Sequence, residues 1–255
     1  MLQTMTDATD PQSNRSDADD AALTGTPRAR ARVQTMSDIL RIGRTHLSRH
    51  GAAALSLRAV ARDLGVVSSA VYRYVPSRDA LLTMLIEDAY TDLGAATTTA
   101  ERAVPRDRYR DRFLAVADAV RGWALAEPAR YGLLFGSPVP GYVAPAERTT
   151  EPGTVVVRLL VGVLRDAHAH GALHTVEAAV PAALGADLRP VLAEYAPDLP
   201  EDALARGVLC WAALFGAVSF EVFGQYGANT FAHPELLFAH QMRALADTVG
   251  LRPST

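Results

Sequence analysis

With 255 residues, of which 49 % are hydrophobic, the chain is long enough to bury one large or two small cores and too apolar to stay a solvated coil. Its single cysteine, Cys210, excludes an intrachain disulfide and fits a reducing cytoplasm. The net charge of −3 conceals a segregation: residues 28–78 hold ten arginines against two aspartates, residues 1–27 hold five aspartates against one arginine, and the remainder carries −7, the pattern of a protein that grips a polyanion at one end.

In chain order, residues 1–27 are rich in Asp, Thr, Ser and Ala without periodicity and read as disordered, and the arm they begin extends to residue 32. No apolar run of export-signal length occurs in the first 33 residues. At Arg28-Ala-Arg-Ala-Arg32 the charge changes sign; Arg28 and Arg30 belong either to a mobile arm that enters a minor groove or to a solubilising lead-in. Met36, Ile39, Leu40, Gly43 and Leu47 then share one face of a helix predicted over 33–49, which Gly51 stops.

Residues 55–82, LSLRAVARDLGVVSSAVYRYVPSRDALL, carry the pattern of a helix-turn-helix. Ser56 is placed to cap a helix over 57–64. Ala61 lets two helices cross closely, Gly65 tolerates a left-handed turn and Val71 plugs the crossing, with Val60, Leu64 and Val66 completing the buried side. The second helix, over 68–74, keeps Ser68, Ser69, Tyr72 and Arg73 exposed, all able to hydrogen-bond to bases or phosphates. Ser77 caps the next helix, from residue 78, whose Leu81, Leu82, Leu85, Ile86 and Tyr90 form one side and which joins two domains.

The run V-Y-R-Y-V-P-S-R-D-A-L-L at 71–82 resembles the signature of the tetracycline-repressor (TetR) family of bacterial transcription regulators: a tyrosine ending the recognition helix, an aromatic two residues on, then a basic residue opening a helix before an acid and paired leucines. The resemblance covers 34 to about 96. Beyond residue 100 it fades, with one echo: Trp123 followed by E-P-A-R-Y-G-L-L-F-G at 127–136 is similar to the ligand-domain opening of a subfamily frequent in GC-rich bacteria. It implies an all-α fold, with a three-helix DNA-binding domain at 33–77 joined by a linking helix to a ligand-binding and dimerisation domain within 78–255. The partners it implies are double-stranded operator DNA, a second copy of the chain and a small-molecule inducer. Arg58, Ser68 and Ser69 match positions that touch base edges; Tyr72, Tyr74 and Arg78 match positions that hold phosphates, with Ser56 and Arg73 beside them. Val67 departs from the family pattern by standing where a capping Ser or Thr is common, so either Ser68 caps one residue later or the first turn is uncapped.

Further along, 97–105 reads as a connection, and Tyr109, Phe113, Val116, Val120, Trp123 and Leu125 mark an amphipathic helix ending before Pro128. A short helix with Tyr131, Leu134 and Phe135 follows. Four prolines make 137–152 a long loop of the kind that lines or covers a pocket. Helices are predicted over 155–170, 187–195, 201–225 and 234–249. The third of these is apolar around most of its circumference from 207 to 223, with Gly207, Ala212, Ala213, Gly216 and Ala217 permitting close approach, and must be covered on all sides. In the TetR family the last two helices pair with their copies as a four-helix bundle; the alternative is the central helix of a monomeric core. The uncharged stretch 207–220 falls short of the roughly 20 residues that span a bilayer, so no membrane partner is expected.

His170 and His174 have the spacing of helical zinc ligands and His168 lies beside them, but Gly171 between them ends the helix, and no metal is expected. Nucleophile elbows, phosphate-binding glycine loops and Cys-x-x-Cys pairs do not occur, which argues against an enzyme or a cofactor. Trp123, Tyr131, Phe135, Trp211 and Phe215 either line an apolar ligand pocket or are plain core, and Arg130 either meets a ligand or forms a surface salt bridge. The resulting expectation is a homodimeric cytoplasmic repressor released from a near-palindromic operator by an inducer. Its rival is a helical small-molecule carrier or enzyme with a basic anion-binding module.

Overall fold

Helix punctuation explains most of the architecture. The computed structural model describes residues 26–174 and 179–253, which form eleven α-helices and no strand beyond an isolated bridge between Leu173 and Leu251. Helix α1, Pro27–His50, starts six residues before the predicted position: Thr26 accepts a hydrogen bond from the Ala29 amide and proline occupies the first turn. Arg28, Arg30 and Arg32 are therefore helical, correcting the reading of a loose arm to residue 32; the cap signal was masked by the polar first turns. The disorder expected for 1–25 lies outside the described residues.

A 3-10 turn, Ala52–Ala54, leads to α2 (Leu57–Asp63), α3 (Ser68–Tyr72) and α4 (Arg78–Arg102). Ser77 caps α4 as predicted, its hydroxyl accepting from the Ala80 amide at 3.0 Å. Helix α4 runs through most of the predicted connection. Buried Thr97 satisfies its hydroxyl on the carbonyls of Leu93 and Gly94, and buried Glu101 receives Arg106 and Arg112, so these polar residues enter the core with partners. Next come α5 (Tyr109–Ala126), α6 (Pro128–Phe135), α7 (Ala146–Gly153), α8 (Val155–Ala169), α9 (Ala182–Tyr195), α10 (Glu201–Val222) and α11 (Pro234–Thr248). Helix α7 takes up the second part of the predicted loop and ends one residue beyond it. It is pinned from outside itself, by the Arg148 to Glu87 bidentate ion pair at 2.6 Å on α4, and it packs Gly153 against the Tyr90 ring. Gly171, at φ +66°, does end α8, and His174 lies beyond it with its amide on the Gly250 carbonyl.

Two hydrophobic clusters share α4. Ile39, Ile42, Leu57, Val60, Val71, Leu81, Leu82 and Leu85 belong to the first; Ala89 and Leu93 enter the second, with residues of α5, α6 and α8 to α11. The proline-rich loop after α6 reaches back to the first cluster, packing Val139 and Tyr142 on it, and the Tyr142 hydroxyl lies 2.9 Å from that of Thr83. Across an open cleft Ser137, Pro138 and Val139 face Leu47 and Ala52.

Helix α10 is not covered on all sides. Its inner face, with Leu204, Cys210, Leu214 and Val218, is buried against neighbouring helices, whereas Leu209, Ala212, Phe220 and Phe223 are exposed. At 22 residues it has the length and hydropathy of a membrane span, a criterion that the core helix of a soluble protein also meets.

Candidate nucleic-acid interface

The crossing of α2 and α3 is built from the small and branched residues that the sequence suggested. Ala61, Val60 and Val71 are all but fully buried, and Gly65 takes φ +71°, a conformation that an L side chain resists. The turn differs in one respect: Leu64 is only half-buried and Val66 is 44 % exposed, because the left-handed residue swings the chain outward before α3 begins.

Val67 holds the N-cap position of α3 with no side-chain cap bond, so the uncapped alternative is the observed one. Ser56 sits at the N-cap of α2 as expected, yet its hydroxyl makes no cap bond either. On α3 Ser69 is exposed, Tyr72 is 44 % exposed and Arg73, at the C-cap, is exposed; spacings of three and four place them on one face. Arg58 is exposed on α2. The Asp63 carboxylate, five residues on, is engaged by His46 Nε2 at 2.7 Å and by Arg62 at 3.4 Å. The hydrogen bond from buried His46 holds the Asp63 carboxyl below its ordinary range and ties α1 to α2.

Tyr74 is half-buried with the Arg32 guanidinium 5.4 Å from its ring centre, and Arg28, Arg32 and Arg73 gather around one cleft beside Thr26. The early start of α1 produces this basic cluster, which brings Arg32 of the basic run against Tyr74. Arg78 is turned differently from the expected phosphate contact: its Nη2 donates to the carbonyls of Ala52 (3.0 Å) and Ala53 (3.2 Å), stitching the start of α4 to the turn after α1.

The six residues weighed as ligand contacts divide into two groups. Arg130 is 4 % exposed, not a surface residue; it donates to Asp92 at 2.7 Å and to the Asp88 carboxylate at 3.0 Å, and its guanidinium lies over Trp123 at 5.4 Å. Trp123 Nε1 also donates to Asp92 (3.0 Å), while Asp88 receives Arg44 Nε of α1 at 2.8 Å. An ionic chain thus runs Arg44, Asp88, Arg130, Asp92 from α1 to α6. Burial raises the Asp92 pKa, but the hydrogen bonds of Trp123 and Arg130 outweigh it and the net shift is downward.

Tyr131, Phe135, Phe215 and Trp211 form an aromatic row with ring centres 5.0, 4.5 and 6.0 Å apart, and the fully buried Tyr131 hydroxyl bonds to the Phe215 carbonyl and Ser219. Of the six, Trp211 alone lines the apolar cavity between α8, α9 and α10, whose other walls are mostly aliphatic, with Phe113, Gly207 and Cys210 among them; none of these was read from the sequence as a ligand contact.

Residues 39–85 match the family model described as bacterial regulatory proteins, tetR family, and residues 113–245 match the one described as tetracyclin repressor-like, C-terminal domain. The chain is 44 % identical over 215 residues to the HTH-type transcriptional regulator Rv1816 of Mycobacterium tuberculosis, covering 84 % of this chain and 92 % of that protein. The regulator Mb1846 of Mycobacterium bovis matches equally. Among solved structures, that of regulatory protein SCO4313 superposes with a TM-score of 0.70 at 33 % identity, over 87 % of this chain and all of that one.

Proposed function

The chain belongs to the TetR family of bacterial transcription regulators, and from that membership we propose that it is a homodimeric repressor that binds a near-palindromic operator and is released by a small-molecule inducer. The observation that carries the reading is the pairing of one exposed recognition face, Arg58, Ser69, Tyr72 and Arg73 on a basic module, with an uncovered apolar face on α10 of the body. One recognition helix per chain reads half a site. A two-fold dimer through α10 and α11 buries Leu209, Phe220 and Phe223 and presents two recognition helices about 34 to 36 Å apart, or a multiple of that, in successive major grooves.

In this reading Arg58, Ser68 and Ser69 contact base edges, while Tyr72, Arg73 and Tyr74 hold phosphates with Arg28 and Arg30 flanking them. Arg78 supports the site from behind through the Ala52 and Ala53 carbonyls. The domain of 33–77 reads DNA and the helices from 78 onward sense and dimerise. It works beside the chromosome in the cytoplasm, with α10 meeting its copy rather than a bilayer, and needs no metal or cofactor.

Selection of bound duplexes from a random pool tests this. Enrichment of an inverted repeat is expected; recovery of no preferred sequence overturns the regulator reading in favour of an anion-binding carrier or enzyme. Linkage adds a second requirement: an inducer binds less tightly once operator is present, by the same factor by which it weakens DNA binding.

A further inference from the structure

The C-terminal domain holds a cavity of about 70 Å³ between α8, α9 and α10. Leu160, Val161 and Leu164 of α8 form one wall and Gly207 of α10 the other, with Phe113 of α5 also lining it. The glycine is what opens the space: a Cβ there would lie 3.1 Å from Leu164 Cδ1. The floor is buried, but Val191, Val208 and Trp211 are 39, 47 and 40 % exposed, so the cavity has a mouth.

No ionisable side chain other than the Cys210 thiol lines it. Burial pushes that thiol up to about 11, which keeps it neutral, and its Sγ already donates to the Leu245 carbonyl at 3.4 Å. A polar group entering from water therefore loses its hydrogen bonds without replacement, whereas a methylene gains burial. Size narrows the class further. An engineered apolar cavity that takes benzene measures about 150 Å³, so this one suits the slim end of a chain rather than a ring.

We propose that this cavity receives an uncharged alkyl chain, methyl end first, through the Val191, Val208 and Trp211 mouth, and that such a chain is the buried part of the molecule this regulator senses. The second half of the proposal rests on the sensor reading above. Occupancy has a route outward. Val155, at the start of α8, packs on Gly94 of α4, where an added Cβ would lie 3.1 Å away, so α8 cannot shift without pressing on the helix that carries the DNA-binding module. The mouth also borders the exposed face of α10.

Calorimetric titration of the full-length protein with straight-chain alcohols of three to nine carbons tests the ligand class. Affinity is expected to rise about fourfold per methylene and to level off once the cavity is filled, with α,ω-diols of equal length failing to bind. Val208→Phe narrows the mouth and is expected to weaken binding at least tenfold in a variant shown to be folded by its thermal melt. Should that variant not fold, xenon pressurisation of wild-type crystals locates the cavity directly. Affinity independent of chain length, diols binding as well as alcohols, or xenon absent from the cavity overturns the proposal. A protein that selects an operator but ignores the alcohols sinks the cavity inference alone; one that takes the alcohols but selects no operator sinks the regulator reading and leaves the cavity standing.

Discussion

Arg130 offers the sharpest test of how the two hydrophobic clusters are tied together. Replacing it with methionine keeps most of the volume and removes the charge, leaving Asp88 with Arg44 and Asp92 with the Trp123 indole. Breaking a buried ion pair costs about 3–5 kcal/mol, because the abandoned charge keeps its desolvation penalty. The two carboxylates differ in that respect. The Asp92 side chain is 53 % exposed and recovers hydration, contributing well under about 1 kcal/mol, whereas that of Asp88 is 17 % exposed and does not. The expected loss is therefore about 2–4 kcal/mol in urea unfolding at fixed protein concentration. Arg44→Met alone removes a guanidinium that is 42 % exposed and costs about 0.5–1 kcal/mol. Since each arginine compensates for loss of the other, the double variant strips Asp88 of both partners and is expected to lose about 1 kcal/mol more than the sum of the singles. Additivity within about 0.5 kcal/mol would refute the claim that Asp88 joins α1 to α6 electrostatically.

At the DNA, Arg58→Ala is expected to cost about 1–3 kcal/mol on the best site and to flatten preference at one position; a motif returned undiminished by binding-site selection removes Arg58 from base readout. Leu209→Asp places a carboxylate in the apolar face of α10 and is expected to weaken dimerisation on the order of a hundredfold, giving a monomer in light scattering that protects at most a half-site. An unchanged dimer moves the interface elsewhere. Glu101 lies below its ordinary 4.5: burial raises its pKa, but hydrogen bonds from Arg106 and Arg112 outweigh that. Its contribution is complete above the unfolded value and is lost as pH falls through the lower folded one. Wild-type Tm is thus expected to fall steeply below about pH 4.5 and that of Glu101→Gln to start lower and fall less; parallel curves refute the assignment.

What the amino-acid order determined by itself is what acts over a few residues. Ser77 caps α4, Gly65 takes its left-handed turn, Ala61 and Val71 are buried, and Gly171 ends α8, because capping, glycine conformation and helical periodicity operate within about one turn of chain. Local rules also account for one miss, since Thr26 and Pro27 start α1 early by a signal that the polar first turns hid. Tertiary structure decided the rest. Helix α7 forms in a proline-rich stretch because α4 supplies Glu87 and Tyr90 to hold it. Arg130 finds partners 38 and 42 residues away, so it is a buried junction and not a surface charge, and Arg78 turns to carbonyls 25 and 26 residues before it. Trp211 lines a cavity while Tyr131, Phe135 and Phe215 pack on one another, a division that depends on where Gly207 crosses Leu164. Periodicity tells which face of a helix is apolar, but the element that covers it, and whether a gap is left between them, follows from crossings between helices far apart in sequence.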